Sequence, residues 1–185
     1  MSILMILLSL AFASPQRIGS PALNFSLKTM NPSVTLKSLG SDELMLSKYV
    51  GPVPQSPAAA MVLFFFSSDM GVGLLEPFQK LQRDYKNKDV IFVGIFSDSG
   101  QVLSGNTMKK LNFPVLHDRF LIVADRYEVD AFPMMYLIDR DGMLFGQSKP
   151  SLSSIDADTR SSLNAILAED IKKKPFYKEN CYDYV

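Results

Sequence analysis

Apolar and polar positions along this chain switch period several times. Residues 58–66 are continuously apolar and rich in Val and Phe, the pattern of a strand buried on both faces of a sheet. Residues 90–96 and 134–138 repeat it. From Leu74, apolar side chains return at Phe78, Leu81 and Tyr85, a spacing that draws one face of a helix. Residues 102–111 and 120–129 predict two further helices, and 113–116 a short edge strand between them. Asp141-Gly142 is a hairpin signal that turns the third strand back into residues 143–145. A last helix is predicted over 158–171, with Leu163, Ile166, Leu167 and Ile171 on one face. Lys172, Lys173 and Lys174 follow it, where cations suit the helix dipole. Near the start, residues 24–27 and 34–36 alternate on either side of Asn31-Pro32-Ser33 and predict a hairpin. Strands alternating with helices predict an α/β sheet covered by helices and closed by an antiparallel hairpin.

The first residues have another character. Residues 3–13 form an apolar run broken only by Ser9, too short to span a bilayer but of signal-peptide length, and Ala11-Phe12-Ala13 has the small-x-small form of a cleavage site. The stretch before it, Met1-Ser2, carries no cation. The expected organisation is a signal peptide over 1–13, a linker over 14–18, one domain over 19–171 and a tail over 172–185. The protein is then exported, to a periplasmic or extracellular space, and meets a membrane only through the N-terminal segment if that is left uncleaved.

Charge and cysteine content narrow the chemistry. Nineteen basic side chains balance nineteen acidic ones, so nucleic acid is not an expected partner. One cysteine, Cys181, excludes an intramolecular disulfide, a CxxC pair and a multi-cysteine zinc site within these 185 residues. One histidine, His117, leaves triads and histidine-rich metal sites without ligands. No metal and no cofactor is expected.

Several ordered motifs carry a resemblance. Gly19-Ser20-Pro21-Ala22-Leu23-Asn24-Phe25-Ser26-Leu27 is similar to the G-x-P-A-P-D-F-x-L segment that opens the redoxins. Val62-Leu63-Phe64-Phe65-Phe66 and Asp89-Val90-Ile91-Phe92-Val93-Gly94-Ile95 resemble their first two core strands. Phe113-Pro114-Val115-Leu116-His117-Asp118 matches F-P-V-L-x-D, and Tyr136-Leu137-Ile138-Asp139-Arg140-Asp141-Gly142 resembles F-L-I-D-x-D-G. The chain thus resembles, over residues 19–145, the thioredoxin-like redoxins: the TlpA/ResA-type thiol:disulfide oxidoreductases and the AhpC/TSA peroxiredoxins. The resemblance implies a thioredoxin-like fold, a mixed central sheet flanked by helices with an N-terminal β-hairpin extension. It also implies a cis Phe132-Pro133 bond, since TlpA/ResA-type proteins place such a proline before the third strand, facing the redox loop.

The departure from the family lies at its chemical centre. Where relatives carry W-C-x-x-C-x-x-E-x-P, this chain reads Ser67-Ser68-Asp69-Met70-Gly71-Val72-Gly73-Leu74-Leu75-Glu76-Pro77. The cysteine positions fall on Asp69 or Met70 and on Val72 or Gly73, and none of these side chains, nor Gly71 between them, forms a thiolate or a sulfenic acid. The degenerate loop is therefore Asp69, Met70, Gly71, Val72 and Gly73, with no catalytic residue in it. Ser68 and Asp69 are expected to cap the following helix, and His117 to cap a turn or lie in solvent. Met70, Met134 and Met135 would make a soft thioether set if the loop brought them together, but Met is more often a core filler.

Two functions are compatible with these residues. In the first, a redox-inactive redoxin acts as a peptide-binding or scaffold module through a groove made by Met70, Val72, Phe132, Pro133 and Met134, its partner a protein or peptide and no small-molecule cofactor. In the second, it is a thiol-disulfide oxidoreductase or peroxiredoxin-like antioxidant protein that borrows a thiol from a partner, or uses Cys181 in an intermolecular disulfide.

Overall fold

The computed structural model describes residues 17–180, with side chains as far as Asp170. Residues 1–16, where the export segment is expected, and 181–185, with Cys181, lie outside the described residues. The strand Ala60–Phe66 (β3) is buried at every position, because it is the middle of five. It pairs in parallel with Val90–Phe96 (β4) and antiparallel with Met134–Asp139 (β6). Val115–His117 (β5) adds in parallel beside β4, and Leu144–Ser148 (β7) antiparallel beside β6, giving the order β5-β4-β3-β6-β7.

Alternation along β3 divides the core in two. Val62, Phe64 and Phe66 face one side with Phe78 and Leu81 of the helix Leu75–Asp84 (α2), and with Leu163 and Ile166 of the helix Ile155–Asn180 (α5). Met61, Leu63 and Phe65 face the other with Val123 and Ala124 of the helix Ile122–Arg126 (α4), together with Phe25, Leu44 and Tyr49 from the N-terminal part. A strand with a side chain for each layer needs no polar position, which explains the unbroken apolar run. The helix Gly105–Lys110 (α3) is shorter than the predicted 102–111, and Ser104 caps it by accepting from the Thr107 N–H. The last helix, by contrast, runs beyond the predicted 158–171 at both ends.

One predicted element is corrected. The N-terminal two-stranded antiparallel sheet is present, but Ser26–Lys28 (β1) pairs with Glu43–Met45 (β2). Residues 34–36 are not its second strand; they lie inside the helix Pro32–Leu39 (α1). Pro32 stands at its first turn, where a missing N–H costs nothing, and Gly40 ends it in the left-handed region at φ 71°. Asn31-Pro32 is thus a helix start rather than a hairpin turn.

Buried polar groups tie the N-terminal part to the sheet. The Asn31 side chain donates to the Phe113 carbonyl at 2.8 Å and accepts from the Val115 N–H at 2.9 Å. The Tyr127 hydroxyl donates to the Leu23 carbonyl at 2.7 Å, and the Tyr136 hydroxyl to the Tyr127 carbonyl. Burial raises both phenols, Tyr136 to about 12, so both stay protonated donors. Near the start of β3, Arg140 pairs with the buried Asp170 of α5.

Candidate functional site

The parallel strands β3, β4 and β5 all finish at one end of the sheet, and the antiparallel β6 begins there. The loop from β3 to α2 therefore faces the residues that lead into β6. Ser67 shapes the loop, its N–H donating to the Met70 carbonyl at 2.9 Å and its hydroxyl accepting from the Met70 N–H at 3.2 Å. Gly71 follows at φ 95°. A side chain there would place its Cβ 2.8 Å from that of Phe66 and 3.0 Å from that of Pro133. The degenerate loop thus closes directly onto Pro133, and only glycine permits both the left-handed backbone and the approach. The Phe132-Pro133 peptide is cis.

The groove residues distribute unevenly. Met70 is 52 % exposed, at the tip of the loop. Val72 packs against the α2 side of the core and Phe132 against the opposite side, both half-buried. Met134 is 5 % exposed. Its side chain belongs to the core, not to an apolar rim, and only its backbone lies near the groove. The thioethers do not converge either, since Met134 and Met135 point into opposite core layers while Met70 stands in solvent.

Two polar expectations are corrected. Ser68 does not cap a helix; its hydroxyl donates to Asp98 at 2.6 Å and its N–H to the same oxygen at 3.2 Å. Neither the 3-10 turn Val72–Leu74 nor α2 has a side-chain cap, Asp69 included. Asp98 also accepts from the Gly100 and Gln101 N–H groups, each at 3.0 Å. The Ser68 hydroxyl, with these amides, holds its carboxyl below the usual carboxylate range. A carboxylate so stabilised is a poor base, so Ser68 is not an activated nucleophile. His117 is half-buried and caps no turn: its ring packs on Phe96 at 5.8 Å, and its Nε2 is buried with no hydrogen-bond partner among the described residues. The cap of α4 is its neighbour Asp118, which accepts from the Val123 and Ala124 N–H groups at 3.2 and 2.8 Å. The acidic position of F-P-V-L-x-D carries that role and was the available signal.

Sequence patterning missed what surrounds the loop. Among the described residues, the exposed large apolar side chains include Met70, Val102, Phe120, Ile122 and Leu152. They lie in or next to the segments that follow β3, β4, β5 and β7, so the topology gathers all of them at the end where β6 begins. Phe120 and Ile122 fall in the apolar run 120–124, which reads as a buried helix face, and Val102 stands beside Leu103, so no run or period showed that they stay exposed.

No family model matches the chain, and no curated protein matches it. Solved structures do. A Chlorobium tepidum protein assigned as thiol:disulfide interchange protein DsbE superposes with TM-score 0.63 and 22% identity, over 82% of this chain and 98% of its own. The mitochondrial 2-Cys peroxiredoxin of Plasmodium falciparum gives 0.59 and 18%, over 89% and 99%. A secreted Mycobacterium tuberculosis disulfide oxidoreductase, homologous to the E. coli DsbE, gives 0.53 and 17%, over 76% and 95%. At such identities the likeness speaks for the fold and not for activity. The chain has the thioredoxin-like fold that these structures share, with a glycine-closed loop and no cysteine between β3 and α2.

Proposed function

We propose that this chain is a redox-inactive redoxin that holds an extended protein segment at the end of the sheet where β3, β4 and β5 finish. The observation that carries this reading is the gathering there of Met70, Val102, Phe120, Ile122 and Leu152, all exposed. Scattered apolar residues on a surface are ordinary, but several at one end of a sheet suit an apolar partner. Phe132 and Pro133 form the bend beside the loop that leads into β6, and Pro133 has no N–H of its own. Export of the protein is part of the proposal. It is supported by the apolar run over 3–13 and by the likeness to a secreted oxidoreductase; among the described residues no helix is long and apolar enough to cross a membrane.

Photo-crosslinking from position 70 tests the reading, with reduced, unfolded lactalbumin as the probe. Labelling at 70 is expected to exceed labelling from position 53, an exposed valine near the opposite end; equal labelling at the two positions overturns it. Insulin reduction and hydroperoxide turnover are expected to be absent. Turnover that survives Cys181→Ser would sink the argument from missing thiols.

A further inference from the structure

The sheet has an open edge away from this site. β4 runs Val90–Phe96, but β5 pairs only with Gly94, Ile95 and Phe96. Hydrogen bonding fixes which backbone groups face outward. Gly94 donates to the Pro114 carbonyl and Phe96 accepts from the Asp118 N–H, both on the β5 side. Asp89 and Ser97 bond toward β3 instead. Strand alternation then turns the N–H and C=O of Val90 and Phe92 toward the side that β5 has left. The next ladder bond, into the Phe92 carbonyl, would have to come from residue 114, which is proline and has no N–H. Among the described residues, no backbone or side-chain partner takes up these four groups.

The edge opens into a cavity of about 790 Å³ between α1 and α2. Its floor is apolar, from Val90, Ile91 and Phe92. Its charged lining is Lys37 of α1, Arg83 of α2 and Lys86 of the turn after α2, and no carboxylate lines it. None of the three cations forms an ion pair among the described residues. Gln82, also in the wall, has an Oε1 with no partner among the described residues.

We propose that this groove takes an extended acidic segment of a partner protein, which adds as a strand beside Val90–Phe92 where β5 stops. Alternating unpaired donors and acceptors call for a peptide backbone rather than a compact anion. Three unpaired cations and no acid call for carboxylates on that peptide. A second copy of this chain is the wrong occupant, since edge-to-edge pairing would set the same cations against one another. Edge strands are often blunted by charges on the strand itself; here the cations stand on α1, on α2 and in the turn after α2, and leave a cavity between.

The experiment uses the whole chain and a fluorescein-labelled peptide of about ten residues alternating Glu with Val. Saturable binding is expected, weakened at least about tenfold by the triple charge reversal Lys37→Glu, Arg83→Glu, Lys86→Glu. Two further peptides need no protein variant. One replaces Glu by Lys, the other is N-methylated at alternate amides, and both are expected to lose at least about tenfold. Hydrogen exchange at the Val90 and Phe92 amides is expected to slow only when the acidic peptide is present. Equal binding of the N-methylated peptide overturns strand addition and leaves a charged surface only. Protection of these amides in a concentration-dependent dimer without peptide overturns the choice of occupant. Both readouts lie outside the loop at 70, so they stand or fall separately from the crosslinking result.

Discussion

The two ends of the sheet are held by different forces. Where β3 begins, Arg140 pairs with Asp170, and partway along the sheet, where β5 joins β4 at Gly94, Asn31 bridges to Phe113 and Val115. The turn at Gly142 packs so closely that an added Cβ would lie 3.0 Å from the Cα of Gly51. Where those strands finish, the connections are loops that expose Met70, Val102, Phe120 and Ile122. Buried polar pairs are costly to break and fix a unique arrangement, whereas exposed apolar loops add little to folding. Substitutions at the first end should therefore cost stability, and those at the second should cost binding.

Asn31→Ala should show the largest loss. It strands the Val115 N–H and the Phe113 carbonyl in the interior, and each unpaired group costs about 1–3 kcal/mol, so about 3–4 kcal/mol in all is expected from urea unfolding. A value near zero would mean that the N-terminal part is not docked through this residue. Arg140→Ala comes next, at about 3 kcal/mol, because it removes the guanidinium from a carboxylate, that of Asp170, whose side chain is only 4% exposed. Gly71→Ala crosses the comparison, being at the loop end yet packed like the other. Its positive φ and its contacts with Phe66 and Pro133 predict a loss of about 2 kcal/mol. Were Ala tolerated there without cost, the loop would not be closed onto Pro133.

The difference between the ends also explains what the sequence disclosed. Residues 62–66 and 90–96 announced themselves because a strand with helices on both faces has no polar position, and Phe78, Leu81, Leu163 and Ile166 because a helix on one face has a period. Neither signal exists for a residue whose role depends on a distant loop. Ser68 looked like a cap, and its partner Asp98 is reached only through the pairing of β3 with β4. Met134 looked like part of a rim because the loop before β6 was legible, while the pleat that turns its side chain inward depends on its pairing opposite Phe65. The start of α1 was misread where local cues sufficed: Asn31-Pro32 and Gly40 frame a helix, and the alternation at 34–36 outweighed them.

At the apolar end the test is one of unequal consequences. Phe120→Ser with Ile122→Ser removes two side chains that are 73% and 58% exposed. Stability is expected to change by no more than about 0.5 kcal/mol, while crosslinking of the unfolded probe from position 70 falls severalfold. A large loss of stability with unchanged labelling would reverse the assignment of the two ends.

The smallest effect lies in the Ser68 and Asp98 pair, which ties the loop after β3 to the loop after β4. Hydrogen bonds, the Ser68 hydroxyl first, lower the carboxyl of Asp98 in the folded chain. A lowered folded value means that the unfolded state binds the proton more readily. The contribution is therefore whole above the unfolded value, at about pH 4, and fades as the pH falls through the lowered folded one. Ser68→Ala should narrow this acid-side loss, so that the gap in urea midpoint between variant and wild type is largest from about pH 5 upward and shrinks toward about pH 2. Because the pair is only part-buried, the gap should be small and should not alter labelling from position 70. A gap that stayed constant with pH would assign Ser68 to packing rather than to the charge of Asp98, and the loop would then depend on Gly71 and Pro133 alone.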